Sequence, residues 1–356
     1  MTNNVGARIR APMNVNSEIG REYAPLQMLP PVSEMMRGAG LAPKKSLGQN
    51  FLFDLNLTGK IARSVPDIEN TTVVEVGPGP GGLTRSLLMA GAKKVIAIEK
   101  DKTTAPILEQ IRAAAGKATD GTDRLEIIYG DALKVFTSLV KGGKDFLNEP
   151  KANLENPGGI NISKNQKSPQ DFVSGQAANK IYPPFNKGGV AICSNLPYNI
   201  GTELLIRWLH IIANQNGGGQ LNSELCTLNS LTLMFQREVA ERIVARVGDT
   251  QYGRLSVLTA LVADAKILFN VPRTAFTPMP KVESAVVQII GKREEGKGNF
   301  DIAKIETLTA KLFGQRRKMI RGIMPCVDWS RFGLTGTERA EELSPQKFVE
   351  IAEMCK

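Results

Sequence analysis

Asn195, Leu196, Pro197 and Tyr198 follow one another directly after a short apolar run. In that order they suit one kind of chemistry, attack by the exocyclic amine of a flat base such as adenine. That amine is a poor nucleophile because its lone pair is delocalised into the ring. A site that uses it must draw the amine hydrogens out of plane. The Asn195 side-chain oxygen and the Leu196 carbonyl are two acceptors able to do so. Pro197 fixes φ near about −65° and brings no competing N–H. Tyr198 offers a flat face, and stacking of a base on an aromatic ring is worth about 1–3 kcal/mol. A strand running into a proline turn accounts for Pro197 and leaves Asn195 and Tyr198 without a reason. A sulfonium methyl donor is electrophilic enough to need no tuned general base, which agrees with a chain holding one histidine, His210.

A second group of residues suits a nucleotide-like cofactor. Gly77, Gly79 and Gly82 have the G-x-G-x-x-G spacing between a strand pattern and a helix pattern, with Glu99 twenty residues after Gly79. Glycines let the backbone approach a ligand, and an acid at the end of the next strand accepts from ribose hydroxyls. This spacing alone does not separate NAD from other adenosyl cofactors. Two details favour the methyl-donor reading: Glu75 stands two residues before the first glycine, and Asp131 in Gly130-Asp131-Ala132 is placed to accept from an adenine amine.

These residues need strands to carry them. Thr72–Val76, Lys94–Glu99, Leu125–Tyr129 and Gly189–Ser194 read as strands ending in polar or glycine-rich turns, with helical stretches between. Such alternation predicts an α/β fold with a mostly parallel sheet. Leu228–Phe235 is strand-like, and Ser256–Asp264 and Ser284–Ile290 are further apolar runs. From Asp301 the pattern is helical to the end. The expected organisation is a poorly ordered extension over 1–40, a Rossmann-like domain over 41–295 and a helical C-terminal domain over 296–356. Residues 141–190 hold seven Gly, five Pro and seven Asn and read as a surface insertion in the Rossmann-like domain.

Composition narrows the class further. Lys plus Arg number 45 against 35 Asp plus Glu in 356 residues, a net charge of +10 that suits a polyanionic partner. Cys193, Cys226, Cys326 and Cys355 are far apart with no C-x-x-C pair, which argues against a zinc site or disulfide framework and for a reducing, cytoplasmic compartment. His210 lies in an apolar helical pattern, where a structural role is expected, and no metal is expected. No apolar run is long enough for a membrane span. A monomer is the default.

Five segments carry a resemblance to a known family: Lys45-Ser46-Leu47-Gly48-Gln49-Asn50-Phe51-Leu52, Val74–Gly79, Asn195–Ile200, Tyr252–Val257 and Phe276–Val282. In content and order they resemble the motifs of the ribosomal RNA adenine dimethyltransferases, over roughly 41–140 and 188–350. The resemblance implies S-adenosylmethionine bound on a Rossmann-like domain with a small C-terminal all-α domain. It also implies transfer of two methyls to each of two adjacent adenosines near the 3′ end of small-subunit ribosomal RNA, in the pre-30S particle, during ribosome biogenesis. Residue by residue, it implies that Asn50 and Leu52 close over the methionine end of the cofactor and Gly77 lines that end. Glu99 would hold the ribose, Asp131 the adenine amine, and Asn195 would sit beside the sulfonium. Phe276 would face Tyr198 across the target base; from the residues alone, packing beside a proline-rich turn is the better reading of Phe276.

Lys311, Arg316, Arg317, Lys318 and Arg321 put five positive charges and no acid into eleven residues. Such a run is usually a solvated helix face; with a folded RNA as substrate it reads as a phosphate contact, with Lys44 and Lys45 as a second one. The rival functions are a large-subunit RNA or DNA adenine methyltransferase, and a ribosome-assembly factor that binds RNA with catalysis secondary.

Overall fold

A computed structural model describes residues 24–44, 48–118, 120–135, 189–216, 228–292 and 300–354. The N-terminal part of the expected extension (residues 1–23), Lys45 and nearly all of the 141–190 insertion lie outside the described residues.

Four strands begin the central sheet: β2 (Thr72–Val76), β3 (Lys94–Glu99), β4 (Leu125–Tyr129) and β5 (Val190–Asn195). Their near-continuous apolar runs suit strands covered on both faces. Alternate residues serve opposite layers: Val73, Val95 and Cys193 join one core cluster, and Val74, Ile96 and Ile192 the other. The sheet is completed by β6 (Leu228–Gln236), β7 (Ala263–Val271) and β9 (Ser284–Gly291), in the order β4-β3-β2-β5-β6-β9-β7. The first five strands run parallel, while β9 is antiparallel to both its neighbours. The apolar run starting at Ser256 divides into a helix, Arg254–Val262, and β7.

Chain order moves outward from β2 through β3 to β4, then returns to the other side of β2 with β5. The gap between the carboxyl ends of β2 and β5 is therefore a topological switch point, where open parallel sheets bind ligands. A two-stranded antiparallel ribbon stands beside it. It joins β1 (Phe51–Leu52) to β8 (Phe276–Thr277), with Leu52 opposite Phe276 and Phe51 opposite Thr277.

One expectation is corrected. Residues 24–40 are not a disordered extension, for they contain the helices Ala24–Met28 and Val32–Gly38. Leu26, Met35 and Met36 are buried in the core, and the buried Arg85 guanidinium donates to the carbonyls of Gln27, Leu29 and Pro30. The C-terminal segment is all-α as expected, with helices Ile302–Phe313, Ile320–Ile323 and Pro345–Met354, and its core is continuous with that of the sheet. One cluster runs from Val74 and Ile192 to Phe348 and Ile351. Tyr252 packs edge-on against Phe313 with centroids 6.0 Å apart, Phe313 stacks on Phe348 at 5.7 Å, and the Tyr252 hydroxyl donates to the Leu343 carbonyl. Among the described residues no helix is long and apolar enough to cross a membrane.

Candidate active site

A cavity of about 300 Å³ occupies the switch point. Its floor is the turn from β2 into the helix Gly82–Met89. Gly79 has φ +56°, and a Cβ there would come within 2.6 Å of the Phe51 ring; a Cβ on Gly82 would meet the Leu52 carbonyl at the same distance. The two glycines thus let the β1 segment close down on the turn.

Glu99, at the end of β3, is buried, and its two carboxylate oxygens are used separately. One accepts from the Gly79 N–H at 2.9 Å and the other from the Asp101 N–H at 2.7 Å. Burial raises its pKa, and these backbone donors oppose the rise. Glu75, on β2, is buried and accepts from the Thr84 hydroxyl at 2.6 Å. Burial pushes its pKa up to about 8, with Thr84 pulling down and the Glu99 charge pushing up, so Glu75 holds its proton at neutral pH. Asp131, past β4, accepts from the Leu133 N–H and pairs with Lys100 at 3.0 Å, which lowers its pKa.

The opposite wall is the tip of β5. The Asn195 amide nitrogen donates to the Asn50 carbonyl at 3.0 Å, which leaves Oδ1 as the end able to accept from a ligand. The preceding Ser194 hydroxyl donates to the Val76 carbonyl, fastening β5 to β2 just below the tip. The Tyr198 hydroxyl shares a 2.8 Å hydrogen bond with Ser284 on β9, so the half-buried ring is braced from its far end. Burial raises the Tyr198 pKa, against the pull of Ser284, and the phenol stays neutral.

Asn50, Leu52, Gly77, Glu99, Asp131, Asn195, Leu196, Pro197 and Tyr198 all line this one cavity. Phe276 does not. It is 3% exposed and packs with Phe51, Leu52 and Met234 in the core beneath β1 and β8. The aromatic partner across a base expected for Tyr198 is therefore not among the residues lining the cavity; Phe276 is buried in the core cluster instead. Lys44, expected as an RNA contact, has its ammonium engaged by Asp101 at 2.9 Å and Thr103 at 3.1 Å. Lys311, Arg316, Arg317, Lys318 and Arg321 are exposed and away from the cavity, and Arg316 is held by Glu341 and the Thr250 carbonyl. His210 bonds Glu306, which also binds Arg254, in a clasp between helices that has no part in the cavity. Sequence reasoning gave no role to Gln49 and Lys100, whose partners lie 52 and 31 residues away, or to Thr84, whose partner Glu75 was singled out without a role. An unbroken acidic position inside a buried strand was the available signal for Glu75.

The fold has a counterpart in the crystal structure of a dimethyladenosine transferase from Plasmodium falciparum, at TM-score 0.54 and 21% identity, covering 85% of this chain and 95% of that one. The switch-point cavity and the strand order place the protein among the Rossmann-like methyltransferases. Residues 40–356 match the family described as Ribosomal RNA adenine dimethylase, and the chain belongs to that family. It is 41% identical over 328 residues to Ribosomal RNA small subunit methyltransferase A of Chelativorans sp. (strain BNC1), covering 91% of this chain and 97% of that protein. It is likewise 41% identical to the protein of that name from Agrobacterium fabrum, over 92% of this chain and 99% of the relative.

Proposed function

We propose that this protein uses S-adenosylmethionine to dimethylate the 6-amino groups of two adjacent adenosines near the 3′ end of small-subunit ribosomal RNA. It acts as a monomer, in the cytoplasm, on the pre-30S particle. One observation carries the reading: the Asn195 amide is clamped by Asn50 so that its oxygen remains as an acceptor at the mouth of the cavity that also holds Glu99 and Asp131. The family and the names of the relatives support an adenine of small-subunit RNA as the target.

The donor set fits the cofactor. Glu99 is placed for the ribose hydroxyls, Asp131 for the adenine amine, and Asn50, Leu52 and Gly77 for the methionine end. When bound, the cofactor supplies an electrophilic sulfonium methyl. Everything else falls to the chain. Asn195 Oδ1 and the Leu196 carbonyl accept the two amine hydrogens of the target adenine and so turn its lone pair toward the donor. Pro197 keeps the tip rigid, and the Tyr198 ring supports the base. An adenosine must leave its stack to enter, so looped RNA is a cheaper substrate than duplex. After the first transfer one N–H remains, and the site must take a methyl where a hydrogen was.

The test is tritiated-methyl transfer to undermethylated small subunits, with large subunits and DNA in parallel and the mass of the labelled RNA fragment as the readout. Label is expected in two neighbouring adenosines of the small subunit alone. Asn195→Ala is expected to abolish transfer while S-adenosylhomocysteine still binds; full activity in that variant refutes the assigned role.

A further inference from the structure

We propose that Asp101 is a positioning residue for methyl transfer, a latch that holds Lys44 and Gln49, and with Gln49 its neighbour Asn50, in place at the cofactor cavity. The proposal rests on the cofactor reading above. Asp101 lies two residues past Glu99, and its nearly buried carboxylate gathers donors from two parts of the chain. Oδ1 accepts from the Lys44 ammonium at 2.9 Å, the Thr103 N–H at 3.1 Å and the Thr103 hydroxyl at 2.6 Å; Oδ2 accepts from the Gln49 amide at 3.2 Å. Gln49 in turn accepts from the Lys44 N–H at 2.8 Å, so the two residues are bonded to each other as well as to Asp101.

The ordinary role for this aspartate is to cap the short helical turn Lys102–Thr104. That role uses only the bonds to Thr103. It gives no reason for a lysine 57 residues away on the same oxygen, or for a glutamine on the other one. The latch does. Gln49 and Asn50 form part of the cavity wall, and the Asn50 carbonyl is what orients the Asn195 amide. On its other side the Asp101 N–H donates to Glu99. Asp101 therefore joins the acid assigned to the ribose with the amide assigned to the target amine, through the single segment between them. Burial pushes the Asp101 pKa up, but the bonds from Thr103, Lys44 and Gln49 outweigh it and bring it to about 2, so the latch stays charged throughout the neutral range.

The experiment measures S-adenosylhomocysteine binding to the full chain by calorimetry, beside thermal melting. Asp101→Ser keeps an oxygen for the cap and loses the reach to Lys44 and Gln49. It is expected to weaken binding about tenfold, the scale of losing charge-assisted bonds, with Tm within about 2 °C of the parent. Lys44→Met is expected to weaken binding about threefold in the parent and not at all in the Asp101→Ser background. Parent-like affinity in Asp101→Ser overturns the proposal, and so does an equal Lys44→Met effect in both backgrounds. If Asp101→Ser does not fold, Lys44→Met and Gln49→Ala alone decide, since parent-like binding in both refutes the latch. A parent chain that fails to bind S-adenosylhomocysteine refutes the reading of the cavity itself, and the latch with it.

Discussion

The cofactor side of the cavity and the base side are built differently. On the cofactor side Glu99 accepts from the Gly79 and Asp101 N–H groups, Asp101 accepts from Gln49, and Asp131 is held by the Leu133 N–H and Lys100. On the base side Asn195 and Tyr198 are each fastened by one bond, and the second aromatic, Phe276, lies in the core. The exposed basic run of the C-terminal helices stands away from the cavity altogether. A small cofactor meets a finished site because nothing else will organise it. A folded RNA brings its own shape and charge, so the protein has less to prearrange there.

Three changes test that contrast. The largest effect is expected at Phe276, which the structure makes a core residue. Phe276→Ala should cost about 3–5 kcal/mol and lower Tm by about 4–7 °C, read by calorimetric melting. If turnover on RNA collapses while Tm holds, the ring belongs to the base side after all. Next is Glu99→Gln. An amide has one acceptor oxygen, so either the Gly79 or the Asp101 N–H would face an NH₂ group, at about 1–3 kcal/mol for a buried donor left unpaired. S-adenosylhomocysteine affinity should fall with stability, and unchanged affinity would break the claim that this side is preorganised. The smallest effect per residue is expected in the basic run. Replacing Lys311, Arg317, Lys318 and Arg321 by Gln should flatten the salt dependence of RNA binding by about 0.7–0.9 in log–log slope for each charge that meets a phosphate. Arg316→Gln should leave that slope alone, because Glu341 already neutralises it.

The frame of the molecule was legible in the sequence where local pattern decides structure. β2, β3 and β4 stand where the β-branched runs predicted them, since a strand covered on both faces needs apolar residues throughout. The residues around the cavity were legible for a related reason: glycines at a turn and acids at strand ends act within a few residues of the motif that reveals them. Legibility failed where a partner is far off in the chain. The helices over 24–38 are held by Arg85, some 55 residues on, and their mixed polar sequence gave no sign of it. The bond from Lys44 to Asp101 was not foreseen, because the two are 57 residues apart. Phe276 was assigned by motif, yet its ring is buried in a core drawn from segments far apart in the chain, which no local pattern records.

The edge-on contact of Tyr252 with Phe313 and the stack of Phe313 on Phe348 have a geometric corollary. A helical lobe whose interior is continuous with that of the sheet is fixed to it by close packing, so a shift of one is felt by the other.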